Sequence, residues 1–259
     1  MKRRSFLAAT ALAGAAGPLA RAATDEAIIE LTFYRLRNNK DNQVNRTRDF
    51  LTRSYVPALK RAGVAPVGMF TNLIGEQSPT ILLVTSYPNL AGIDAVRGKL
   101  AADKRLGQRA KLFAGIAGLP YQRIEKTLLR GFDSFPTIQV PPGDKDRAPR
   151  VFEMRTYESD TFDTLRRKIG MFGNGEIDLF RKVGMAPVFF GETIVGQNMP
   201  NLTYMVGFDS LAHREQCWRK FGRSAEWRTM KKLPGLSDAE VVSNISNRIY
   251  RPLAGSDMR

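Results

Sequence analysis

The chain repeats itself, and that restricts it to folds that can be built from two like units. Leu59-Lys60-Arg61-Ala62-Gly63-Val64-Ala65-Pro66-Val67 returns 121 residues later as Phe180-Arg181-Lys182-Val183-Gly184-Met185-Ala186-Pro187-Val188. Continuing without a gap, Gly75 meets Gly196, Pro79 meets Pro200 and Leu90 meets Leu211. Only 7 of the 36 positions from Tyr55 to Leu90 are identical, but most of these are Gly or Pro, whose backbone demands decide where elements stop and turn. Glu30 and Tyr34 match Glu153 and Tyr157 at a shift of 123, so the first copy carries two extra residues early on, and Arg130 meets Arg251 at 121 again. The expected units are residues 25–130 and 150–253. Between them residues 131–149, with prolines at 136, 141, 142 and 149, read as a linker.

Each unit spells the same order of elements. Ile28 to Tyr34 and Val151 to Tyr157 alternate in period two, as a half-buried strand does. Asn42 to Ala62 and Asp163 to Val183 are helical in composition, with basic residues in the last turn, Gly63 or Gly184 at the left-handed cap and Pro66 or Pro187 beyond it. Two β segments follow in each unit, Val67 to Leu73 with Ile81 to Tyr87, and Val188 to Val195 with Leu202 to Phe208. A second helix starts near Asn89 or Ser210, and a last strand lies near Ile124 to Leu129 or Val242 to Tyr250. The order β-α-β-β-α-β is the ferredoxin-like unit, so the expected class is α+β.

The start of the chain reads as an address and not as structure. Lys2-Arg3-Arg4-Ser5-Phe6-Leu7 leads into an Ala-rich run that ends at Ala20-Arg21-Ala22. This resembles a twin-arginine export signal over residues 1–22, cut after Ala22, which implies a periplasmic or secreted bacterial protein. Lys2 and Ala8 depart from the usual pattern of that signal. Cleavage removes Lys2, Arg3, Arg4 and Arg21 and no acid, so the formal charge of +15 falls to +11. A charge of that sign suits anionic lipid headgroups, cell-wall polymers or a small anionic ligand. Nucleic acid is not expected, because no long basic run is interleaved with aromatics and an exported protein meets little of it.

Composition closes several routes. With 43% hydrophobic and 25% charged residues, the chain is neither disordered nor fibrous. Cys217 and His213 are the only residues of their kinds, which excludes a disulfide framework, a multi-cysteine cluster and a two-His metal site. No Walker loop, G-x-S-x-G elbow or H-E-x-x-H is present. No cofactor and no metal is expected. Trp218, Phe221 and Trp227 read as helix-face core, Cys217 as a small buried thiol, and His213 as a surface residue at a helix start.

Phe152-Glu153-Met154-Arg155-Thr156-Tyr157, Gly184, Gly196, Asn201-Leu202-Thr203-Tyr204-Met205, Ser210-Leu211-Ala212-His213-Arg214-Glu215, Trp218-x-x-Phe221 and Glu226-Trp227 resemble the NIPSNAP family. The likeness is good from Arg150 to Arg251 and degenerate in the first half, where Arg97 and Leu106 stand at the positions of Trp218 and Trp227. The resemblance implies a dimeric α/β-barrel, in which two ferredoxin-like sheets face each other, and two copies in one chain can build that barrel alone. A homo-oligomer is compatible with it. The family carries no settled catalytic residues to transfer.

In each first strand one face is oily, with Ile29, Leu31 and Phe33 or Phe152, Met154 and Thr156, and is expected to pack on the helices. The other face carries Glu30, Thr32 and Tyr34 or Glu153, Arg155 and Tyr157, and is expected to point into the barrel lumen. With Tyr204 these form a candidate polar pocket for a small anionic ligand, with Arg155 as the anchor. The competing reading is a satisfied internal Glu–Arg pair. Two functions follow: a small-molecule-binding or interaction protein, or a cofactor-independent barrel enzyme acting on a small organic substrate in the lumen.

Overall fold

The computed structural model describes residues 27–143 and 148–259. The expected export signal lies outside the described residues. The first unit runs β1 (Ile28–Arg35), α1 (Gln43–Phe50), a π turn (Leu51–Tyr55), α2 (Val56–Arg61), β2 (Gly68–Ile74), β3 (Thr80–Tyr87), α3 (Leu90–Ala102), α4 (Lys104–Gly115) and β4 (Arg123–Gly131). The second runs β5 (Val151–Glu158), α5 (Phe162–Met171), a π turn (Phe172–Glu176), α6 (Ile177–Lys182), β6 (Ala186–Val195), β7 (Asn201–Phe208), α7 (Leu211–Arg223), α8 (Ala225–Met230), α9 (Asp238–Val241) and β8 (Asn244–Pro252). The duplication extends to details: both long helices are interrupted by a π turn at the same point of the repeat. Gly63 and Gly184 close them at φ 96° and 101°, a left-handed conformation that only glycine adopts without strain.

The eight strands form one closed barrel in the order β1-β3-β2-β8-β5-β7-β6-β4. Each unit contributes a four-stranded antiparallel sheet, and the two are sewn together by antiparallel pairing of β2 with β8 and β4 with β6. At the first seam Gly75 has φ 79°, and a Cβ there would lie 2.3 Å from the carbonyl oxygen of Asn247. Gly75→Ala is therefore expected to cost about 2–4 kcal/mol, combining left-handed strain with a backbone clash, and urea unfolding of the variant checks it.

The faces of the strands are the reverse of the expectation. Ile29, Leu31, Phe33, Phe70, Leu82, Val84, Phe152, Met154, Met205 and Tyr250 form one cluster drawn from both units, and this oily set fills the lumen. Tyr34 instead packs beneath α2 with Leu51, Val56 and Leu59, and Tyr157 and Tyr204 pack beneath the second helix layer with Leu165, Phe172 and Phe180. The physical reason is the size and dryness of the lumen. An eight-stranded barrel is just wide enough for side chains to fill it, and apolar ones do so without unmet hydrogen bonds. Charged groups go where the helices supply counter-charges.

Residues 132–139, within the expected linker, pack onto the barrel. Phe132 and Phe135 are buried, Gln139 N donates to the carbonyl of Val188 at 2.8 Å, and Ile138 joins the lumen cluster together with Met258. Ile138 and Met258 close one end of the lumen, while Phe132 and Phe135 pack under the second helix layer. At the other end Arg35 bridges Glu76 and Glu125, each at 2.7 Å, around a cavity of about 90 Å³ bordered by Thr156, Thr193, Thr203 and Arg248. Ligand pockets begin near ~300 Å³, so this mouth is too small to be one.

Candidate functional site

Period-two alternation in β5 sends Glu153, Arg155 and Tyr157 to the helix side, and the pairing of Arg155 with Tyr204 on β7 sets that tyrosine beside the arginine. Above them α5 presents Lys168, the second π turn presents Glu176, and α7 presents Arg214 and Trp218. α7 starts firmly because the Ser210 hydroxyl accepts from His213 N, and α5 because Thr161 and Thr164 form a reciprocal capping box.

Glu153 has no exposed surface and is the hub. Arg214 grips it with both arms, Nε to Oε2 at 2.9 Å and Nη2 to Oε1 at 2.6 Å. Trp218 Nε1 donates to Oε2 at 2.7 Å, and Arg155 Nη1 reaches Oε1 at 3.2 Å. Four donors use the acceptor capacity of a carboxylate. Arg155 is held differently: its guanidinium lies 4.5 Å from the Trp218 ring centroid and 5.4 Å from that of Tyr157, while its Nε is buried without a hydrogen-bond partner. Burial opposes its charge, but the neighbouring Tyr204, Tyr157 and Glu153 outweigh that and hold Arg155 protonated.

Deeper in the layer the hydroxyls of Tyr157 and Tyr204 share a hydrogen bond of 2.8 Å. Burial pushes both phenols up, so they stay protonated through any ordinary pH. Lys168 and Glu176 form a fully buried ion pair at 2.9 Å, with the ammonium 4.9 Å from the Phe172 ring, 5.0 Å from Trp227 and 5.5 Å from Tyr157. Burial pushes the Glu176 carboxyl up, against the pull of Lys168. Among the described residues no group of three or more His, Cys, Asp or Glu side chains is placed to hold a metal ion. His213 accepts from Asp209 N through Nδ1 at 3.2 Å and sets Nε2 3.2 Å from Cys217 Sγ. That thiol is buried, and burial raises its pKa.

The six candidate residues therefore fall into two groups. Glu153, Arg155, Tyr157 and Tyr204 come together. Glu30 and Tyr34 lie under the other helix layer, where Glu30 accepts from Thr32 Oγ1 at 2.9 Å and Lys126 Nζ at 2.6 Å. Neither group occupies the lumen. Lys168, Glu176, Arg214 and the indole donor of Trp218 were missed by sequence reasoning. The signal lay in the mismatches of the repeat, because the first copy has Thr47, Tyr55, Ile93 and Arg97 at those four positions, Thr32 in place of Arg155, and Leu83 in place of Tyr204.

Residues 29–117 and 152–257 match the NIPSNAP family model. A proposed monooxygenase from Fusobacterium nucleatum superposes with a TM-score of 0.57 at 8% identity, covering 88% of this chain and 93% of that one. One from Lactobacillus acidophilus gives 0.57 at 9%, covering 88% and 94%. A NIPSNAP-like domain protein from Burkholderia xenovorans aligns at 18% identity over 40% of this chain and 86% of its own, with a TM-score of 0.36. No curated protein matches the chain. The two full-length likenesses show a shared fold.

Proposed function

The chain belongs to the NIPSNAP family, and from that premise we propose that it is an exported protein whose second unit binds a small planar anion, such as an aromatic carboxylate, beside Arg155. The observation that carries this reading is the division of labour around Glu153. Arg214 and Trp218 already satisfy the carboxylate, so Arg155 is not needed to neutralise it. Arg155 keeps a buried unpartnered Nε on a planar fork, backed by an indole face. Such a fork recognises a carboxylate with two parallel hydrogen bonds.

Binding is favoured over catalysis by the protonation states. A cofactor-independent enzyme needs a group that removes a substrate proton at its working pH. Tyr157 and Tyr204 are held as donors, and Glu153 has its lone pairs engaged. The structural likeness to proposed monooxygenases favours a small organic molecule as the ligand class and does not by itself assign a reaction.

Native mass spectrometry of the protein isolated from its own periplasm tests this reading. A co-purifying organic anion of defined mass is the expected result. A chain that carries nothing, and takes up no aromatic carboxylate when offered one, removes the proposal. For export, the expected mature N-terminus is Ala23, and changing Arg3 and Arg4 together to Lys is expected to retain the protein in the cytoplasm. Fractionation and N-terminal sequencing check it, and undiminished export of the double variant removes the twin-arginine assignment.

A further inference from the structure

The first unit lacks the polar network of the second, but it carries a surface that the second lacks. From Leu112 to Pro120 the sequence is Leu-Phe-Ala-Gly-Ile-Ala-Gly-Leu-Pro, nine residues without a polar side chain. In a soluble surface such a run is expected to fold inward, yet Leu112 is 64% exposed, Ile116 49% and Leu119 63%. At the equivalent place in the second unit, residues 233–241 include Ser237, Asp238 and Glu240.

The segment is also built to present its side chains. Three polar residues of α1 are turned to its backbone. Arg46 donates to the carbonyls of Ala117 at 2.8 Å, Ile116 at 3.3 Å and Gly118 at 3.5 Å. The buried Gln43 donates to Leu119 O at 2.7 Å, and the buried Thr47 hydroxyl donates to Pro120 O. Phe113 is stacked on Phe50 with ring centroids 4.3 Å apart and fastens the end of α4 to α1. Carbonyls that already have partners lose little on leaving water, which removes the main cost of moving a loop into an apolar medium. The approach along α4 to this tip is cationic: Lys104, Arg105, Arg109 and Lys111 are all exposed, and no acidic residue lies between Lys104 and Pro120, while the Asp41 carboxylate is set against the segment beside Gly118.

We propose that this tip is a membrane-docking surface, in which Leu112, Ile116 and Leu119 enter the headgroup–acyl boundary of an anionic bilayer while the four cations of α4 sit among lipid phosphates. Apolar anchors ringed by Lys and Arg are the arrangement that binds a charged interface. The docking is peripheral, since among the described residues no helix is long and apolar enough to cross a membrane. It uses no residue of the ligand site of the second unit.

Co-sedimentation of the purified protein with phosphatidylglycerol–phosphatidylcholine vesicles, against pure phosphatidylcholine vesicles, tests the proposal. Binding is expected to the anionic vesicles only and to weaken with salt. Each of Lys104, Arg105, Arg109 and Lys111 changed to Gln should lower the partition coefficient roughly 5-fold. Changing Leu112, Ile116 and Leu119 together to Ser should lower it at least ~10-fold with an unchanged thermal midpoint, because these side chains are exposed in the folded protein. The proposal is overturned by failure to bind anionic vesicles, by equal binding of neutral ones, or by equal binding of the triple Ser variant. A lipid-free dimer that the triple Ser change converts to monomer also overturns it, in favour of a second copy of this chain as the occupant.

Discussion

Glu153→Ala is expected to lower the stability of the protein by about 3–5 kcal/mol, the usual cost of removing one partner from a buried charge pair. For a chain of this size that is a fall of roughly 6–20 °C in thermal midpoint, and calorimetry at neutral pH checks it. The loss comes from what is left behind. Arg214 would keep a largely buried guanidinium without its bidentate acceptor, Arg155 would lose its ion pair with Glu153, and the Trp218 N–H would be buried unpaired. Glu153→Gln keeps the shape and still faces Arg214 with an NH2 group, so most of the deficit should remain. A change of under 1 kcal/mol in either variant would mean that the carboxylate is not the hub of the layer.

Lys168→Met should be similarly costly and, unlike Glu153→Ala, its cost should depend on pH. Lys168 and Glu176 are each almost wholly buried and paired at 2.9 Å. Without the ammonium, Glu176 either stays ionised in a dry layer or takes up a proton. Burial already pushes its carboxyl up in the native protein, and losing Lys168 pushes it further. An acid whose folded pKa is raised binds more protons folded than unfolded, so its contribution to stability is present at low pH and lost as pH rises from the ordinary carboxylate range through the raised value. The deficit of Lys168→Met relative to the native chain should therefore be largest near pH 8, about 3–5 kcal/mol, and shrink near pH 5. The double change Lys168→Met with Glu176→Leu removes both charges and should recover most of the loss at every pH. Urea titrations at the two pH values separate these outcomes, and a deficit that is flat with pH would contradict the assignment.

The repeat was legible in the sequence because Gly63, Pro66, Gly75 and Pro79 have backbone requirements that any copy of the unit must meet, so Gly184, Pro187, Gly196 and Pro200 survive where side chains have diverged. The order of the strands and of the first helices followed from the same residues and from the alternation of β1 and β5, but the breaks at Asp103 and Ser224 that divide each second helix did not. What alternation does not carry is a direction. Both faces of β1 and β5 are buried, one against the opposite sheet and one against helices, and a period of two looks the same whichever way the strand is turned. The first π turn left no mark, since the helical composition runs unbroken through Leu51–Tyr55, whereas the second is signalled by Gly173-Asn174-Gly175, where Gly175 takes φ 123°. The site itself depends on partners far apart in the chain: Glu153 is held by Arg214 and Trp218 from α7, across 61 and 65 residues. Only Arg155 and Tyr157 lie close enough in sequence to suggest a shared face.

Divergence after duplication gives these differences a common cause. Position 47 in the first unit and 168 in the second sit on the same turn of the same helix. Thr47 ties down the apolar tip at Pro120, and Lys168 anchors the buried network. Neither residue can do the work of the other.

The most direct test of an anion site at Arg155 is one substitution read in two ways. Arg155→Met removes the fork at similar length, and because Arg214 and Trp218 still hold Glu153, the thermal midpoint should fall by only a few degrees. Losing hydrogen bonds to a charged partner should at the same time weaken binding of the co-purified anion by ~10- to 150-fold, measured by isothermal titration against the native protein. Unchanged affinity in a folded Arg155→Met variant, or a loss of stability as large as that of Glu153→Ala with no ligand found in either protein, would contradict the assignment and leave Arg155 as part of the packing.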